Sequence, residues 1–124
     1  GNLDIYGQYL DSKGAIISKV PVPEEGIEIC LTQGTQYSPD IAVVGKSPVI
    51  VWEDYRDSNE YKLFLQAFNK DGDPVFEKNG LLVKESINGG RFPRILPIND
   101  QEFLISWEDH KNGGKSIVAQ KYKL

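Results

Sequence analysis

The chain writes one phrase twice: "PVIVWEDYRD" at residues 48 to 57 returns as "EFLISWEDHK" at residues 102 to 111. Self-similarity at a period of some tens of residues marks a repeat architecture, in which each unit buries its apolar surface against the next. The flanks agree. Gly34, Thr35, Gln36, Tyr37, Ser38, Pro39, Asp40 and Ile41 align with Asn88, Gly89, Gly90, Arg91, Phe92, Pro93, Arg94 and Ile95, which sets Pro39 and Pro93 54 residues apart and Trp52 and Trp107 55 apart. An earlier partial copy, "GQYLDSKG" (7 to 14), matches "LQAFNKDG" (65 to 72), and "AQKY" (119 to 122) opens the same phrase, so that Gln8, Gln66 and Gln120 mark one site in three copies.

Within a copy, short apolar runs alternate with turn residues, the pattern of an antiparallel meander. In the middle copy the runs are Asp40 to Val44, Val49 to Glu53, Leu63 to Phe68 and Leu81 to Lys84, separated by Gly45-Lys46, Asp57-Ser58-Asn59 and Asp71-Gly72-Asp73-Pro74. Gly, Pro and Asn recur too often for helices, and β-branched or aromatic residues fill the runs. Val49 and Val51 point one way while Ile50 and Trp52 point the other, and Leu104 opposes Phe103, Ile105 and Trp107. A strand apolar on both faces must be covered on both, and in a repeat protein the cover is the neighbouring unit. The expected fold is therefore all-β, built of antiparallel four-stranded propeller-like blades of roughly 54 residues. The blades divide as a partial one over 1–34, a complete one over 35–88 and a partial one over 89–124. Nine strands, about two and a quarter blades, fall short of the four at which propellers close. The chain is thus expected to be part of a longer propeller or a protomer that closes the ring by self-association.

Bulk properties narrow the chemistry. With 124 residues, the chain has the length of one domain, and a net charge of -4 opposes the phosphate neutralisation on which nucleic-acid binding depends. The lone Cys30 has no disulfide partner, no Cys/His spacing suits zinc, and the single His110 argues against a catalytic triad. No apolar stretch approaches a membrane span and no signal segment opens the chain. Gly1 in first place and the absence of methionine suggest a processed or excised piece. No cofactor is implied.

With Pro39, Trp52, Asp54, Arg56, Gln66, Asp71-Gly72 and Asn79-Gly80 in place, the sequence resembles the repeats of bacterial secreted and cell-surface β-propeller proteins, which run from a proline-led strand through a Trp-x-Asp-x-Arg turn and a Gln-containing strand to an Asp-Gly turn. The resemblance covers nearly the whole chain and implies a binding or assembly role in a secreted or surface protein. It departs in the last copy, where His110-Lys111 replaces Tyr55-Arg56. Such scaffolds also carry enzymes, so a glycosidase or lyase that draws residues from further blades is the competing class, and a self-assembling structural unit is the third.

Glu53-Asp54 and Glu108-Asp109 are carboxylate pairs of the kind glycosidases use. A pair written into each copy, however, suits a job each copy needs, here an Asx-type turn. Residues that break the repeat are better candidates for ligand binding: Tyr55, Arg56 and Asp57 on one turn, His110 and Lys111 on the equivalent one, suited to a carbohydrate or protein ligand if both turns share a rim. Arg91 and Arg94 flank Pro93 and offer an anion site. Asn69, Asp71 and Asp73 alternate as in a calcium loop, but Gly80 stands where the closing Glu belongs and an Asp-Gly turn accounts for them. Gln66 reads as a structural amide, and Cys30 as a buried small hydrophobe.

Overall fold

The computed structural model describes residues 2–17, 26–57, 59–87, 89–110 and 113–124. Among them nine strands, paired antiparallel throughout, form three sheets. β1 (Ile5–Gly7) pairs with β2 (Ile27–Cys30). The middle sheet runs β3 (Gln36–Val44), β4 (Ser47–Asp54), β5 (Lys62–Ala67) and β6 (Leu81–Leu82) in that order. The third runs β7 (Gly90–Pro97), β8 (Glu102–Asp109) and β9 (Ser116–Lys123). Strands adjacent in sequence are adjacent in space, as a meander requires.

Every strand of the middle sheet departs from its expected run at one end or both, and two of the departures have a local cause. β3 and β7 begin before their prolines because each carries a bulge there: Ser38-Pro39 stands opposite Trp52 alone, and Phe92-Pro93 opposite Trp107 alone. A proline cannot donate to the ladder, and a bulge is where a strand tolerates one. Ser38 (φ 49) and Phe92 (φ 55) both take left-handed backbone to make it. The fourth run shortens to Leu81–Leu82 and gives way to a 3-10 turn over Lys84–Ser86. Ser86 Oγ donates to the Val83 carbonyl (2.7 Å) and accepts from the Leu63 N–H (2.8 Å), which draws the chain out of the sheet plane.

Alternation along β4 and β5 divides the core. Val49, Val51, Leu63, Leu65 and Ala67 pack with Phe103, Ile105 and Trp107 of β8, whereas Ile50, Trp52, Phe64 and Phe68 pack with Ile5, Ile29 and Cys30 of the first sheet. The middle sheet is covered on both faces, which is why both are apolar. Each fully buried Val, Leu, Ile or Phe among them contributes about 1.5–3 kcal/mol. Trp52 faces the first sheet and Trp107 the middle one, so the repeat places each indole against the preceding sheet.

The backbone repeats as well. Gln36 N–H donates to Leu3 O and Gly90 N–H to Tyr61 O, each at 2.9 Å, and these links join successive sheets at equivalent points. Asp11 Oδ1 accepts from the N–H groups of Lys13 and Ala15, and Asn69 Oδ1 from those of Asp71 and Asp73, so the two loops are closed by the same Asx geometry. Among the described residues no helix is long and apolar enough to cross a membrane.

Candidate functional site

The ends of β4 and β8 and the starts of β3, β5 and β7 meet at one edge of the stack. Gly89-Gly90 ties them: Gly90 N–H donates to Tyr61 O ahead of β5, and the Gly89 carbonyl accepts from His110 N–H after β8 at 3.2 Å. The turns of Tyr55-Arg56 and His110 therefore share a rim.

Beneath that rim both members of the first carboxylate pair are buried and engaged. Asp54 Oδ2 accepts from Trp52 Nε1 (2.9 Å) and Arg56 Nη2 (2.7 Å), and its Oδ1 accepts from Arg56 N and Nε, both at 2.9 Å. Arg56 also donates to Asn79 O (2.8 Å) and lies 3.6 Å over the Phe64 ring. The Trp-x-Asp-x-Arg phrase is thus a buried clamp that holds the turn and the approach to β6 together. Glu53, fully buried, reaches into the next sheet, where Oε2 accepts from Arg91 Nε and Oε1 from Phe92 N–H, each at 2.7 Å.

Arg91, fixed from below, spreads over aromatic rings: its guanidinium carbon stands 4.2 Å from the centroid of Tyr61 and 5.0 Å from that of Phe92. Tyr61 in turn packs against Tyr55 (4.8 Å between centroids) and Tyr37 (5.9 Å). Burial, then the adjoining Tyr37, hold the Tyr61 hydroxyl above its usual pKa. Phe92 is 51% exposed, and Tyr37 is exposed at the margin. The result is a partly exposed surface of three tyrosines, one phenylalanine and one arginine, packed ring against ring and ring against guanidinium.

Of the residues singled out from the sequence, Tyr55 lies in this cluster and Arg56 lies beneath it, committed to Asp54. Asp57 is exposed and bound to Lys62 (2.6 Å), which holds its carboxyl below the usual range. His110 Nε2 meets Glu108 Oε1 at 2.7 Å, and Lys115 with His110 lowers the Glu108 pKa. Lys111 lies outside the described residues. The two arginines of the suggested anion site part company: Arg91 is neutralised by Glu53, while Arg94 turns to the Pro93 carbonyl at 2.9 Å. Tyr37, Tyr61 and Phe92 were missed by the sequence reading. The signal for Phe92 was present, since it breaks the repeat where Ser38 stands in the other copy.

The remaining candidates resolve into structure. Gln66 accepts from Phe76 N–H and donates to Glu77 O, both at 2.9 Å, the predicted tie between a strand and a neighbouring turn. Asn69 spends its side-chain oxygen on backbone N–H groups, and among the described residues no group of three or more His, Cys, Asp or Glu could hold a metal. Cys30 is buried, and burial followed by the nearby Asp54 pushes its thiol up to about 11. No family model, curated protein or solved structure matches the chain.

Proposed function

We propose that this chain is a binding or assembly module of a secreted or cell-surface bacterial protein, with propeller-like blades presenting an aromatic rim to a carbohydrate or protein ligand. The observation that carries the reading is the Tyr37, Tyr55, Tyr61, Arg91 and Phe92 cluster, a partly exposed aromatic and cationic surface anchored by a buried carboxylate. Flat rings offer a stacking face to the C–H side of a sugar or to peptide side chains, and preorganisation lowers the entropy cost of binding. Binding rather than catalysis is favoured by Glu53 and Asp54, whose oxygens are taken up by Arg91, Phe92, Trp52 and Arg56.

The propeller reading rests on three sheets stacked in sequence order with bulges, indoles and Asx loops at matching points. The assembly reading has its own observation. Ile41 and Val43 stand 63% and 60% exposed beside a cavity of about 300 Å³ lined by Ile27, Ile29, Ile50 and Phe68.

Glycan and peptide arrays probed with the wild type and with Phe92→Ala and Tyr61→Ala test the rim. Binding weakened about tenfold or more in both supports it, in line with loss of an aromatic anchor. Binding that neither change moves removes the rim from consideration, and polysaccharide hydrolysis lost in a folded Asp54→Asn variant would overturn the non-catalytic reading.

A further inference from the structure

The Tyr37, Tyr55, Tyr61, Arg91 and Phe92 cluster constrains the chemistry of what can sit on it. The backbone of its turns is already engaged. Tyr55 N–H donates to Thr35 O and Gly90 N–H to Tyr61 O, each at 2.9 Å, and His110 N–H donates to Gly89 O at 3.2 Å. Arg56 N–H goes to Asp54 at 2.9 Å and Phe92 N–H to Glu53 at 2.7 Å. A peptide held by main-chain pairing needs an open edge or free backbone donors, and these N–H groups are bound within the fold.

Charge is matched as closely. Arg56 closes on Asp54, Lys62 on Asp57 and Arg91 on Glu53, and Glu108 takes both His110 and Lys115. Each of these cations already faces a carboxylate, which would repel an anionic ligand drawn to it.

The groups left open are of one kind. Among the described residues no hydrogen bond reaches the hydroxyls of Tyr37, Tyr55 and Tyr61, and Arg91 makes its bond through Nε, with neither Nη nitrogen partnered. Phenol hydroxyls donate and accept, whereas a guanidinium only donates. Beside them Phe92 holds its ring 51% exposed, with its centroid 5.0 Å from the Arg91 guanidinium carbon. The backbone does not require that ring, since Ser38 makes the equivalent bulge with φ 49 against 55 for Phe92. The complement is a molecule with an apolar face and hydroxyls around it that both donate and accept. A pyranose ring has that form, whereas a carboxylate could only accept and an aliphatic side chain could do neither.

We propose that the rim ligand is a neutral glycan, with one pyranose stacked on Phe92 and its hydroxyls bonded to the Arg91 Nη groups and the tyrosine hydroxyls. This rests on the rim being the binding surface and narrows its ligand to one class.

The test titrates cello-, malto-, xylo- and chito-oligosaccharides into the full chain, followed by saturation-transfer difference NMR. The expected result is saturable binding of at least one, with transfer from aromatic protons to the sugar C–H protons and an affinity unchanged by an about tenfold rise in sodium chloride. Phe92→Ser, which copies the Ser38 bulge, should keep the wild-type circular dichroism and weaken binding about tenfold or more, as loss of a stacking anchor does. Tyr37→Phe keeps the ring, removes the hydroxyl and should weaken binding severalfold. Failure of all four oligosaccharides to bind at millimolar concentration, or an affinity that falls with salt, overturns the proposal. The two readings fail separately. A peptide or an acidic oligosaccharide that binds where these four do not, and is lost in Phe92→Ser, would keep the rim and overturn only the neutral-glycan assignment, whereas glycan binding indifferent to Phe92→Ser would overturn both.

Discussion

Arg91 on β7 donates through Nε to Glu53 on β4 at 2.7 Å, and this one ion pair both joins the middle sheet to the third and sets the plane of the rim aromatics. Glu53 is fully buried and also accepts from Phe92 N–H. Glu53→Ala leaves a guanidinium and a backbone donor without their acceptor, and should cost about 3 kcal/mol. Glu108→Ala, at the equivalent position but with a partly exposed side chain paired to His110 and Lys115, should cost under about 1 kcal/mol. Urea denaturation followed by tryptophan fluorescence separates them, and equal losses would remove the inter-sheet role assigned to Glu53.

Gly80 and Gly72 both hold left-handed backbone, with φ of +92 and +85, but only Gly80 lies against a ring. Gly72→Ala meets open space and should cost about 1 kcal/mol through backbone strain alone. Gly80→Ala adds a collision with Trp52 and should cost about 3 kcal/mol or more, with a change in near-ultraviolet circular dichroism from the displaced indole. Matching midpoints for the two variants would contradict the packing of Gly80 on Trp52.

The Cys30 thiol is buried and pushed up from 9.0 to about 11, so the folded chain retains a proton there that the unfolded chain gives up. Folded-state proton binding exceeds unfolded-state binding between those values, so this stabilisation is complete below about pH 9 and is lost as pH rises toward about 11. Stability of the wild type should fall across that window by up to about 1.4 kcal/mol per pH unit more than that of Cys30→Ala. Parallel curves for the two proteins would count against it. Modification by a thiol reagent at pH 8 should be slow in buffer and fast in urea.

Much of the architecture was legible because repetition is visible without knowledge of contacts. Pro39 and Pro93, Trp52 and Trp107, and Gln8, Gln66 and Gln120 set the number and order of strands before any pairing was known. Alternation along Val49 to Trp52 declared that a sheet lay on either side, since a strand apolar on both faces has no stable exposed state. Asp54 was likewise readable as an Asx-type turn residue, because an Asx side chain bonds its own neighbouring backbone and needs no distant partner.

The roles of the charged residues were decided only in three dimensions. Arg56 and Arg91 look alike as exposed turn cations in the sequence, yet one closes on Asp54 beneath the rim and the other crosses to Glu53, 38 positions away, and carries the aromatic surface. Tyr37, Tyr55 and Tyr61 come from three separate strand ends and meet only because β3, β4 and β5 are paired in one register. Periodicity reports which face a side chain takes, and that is local. Which carboxylate a guanidinium finds depends on how sheets stack, and no stretch of sequence carries that geometry alone.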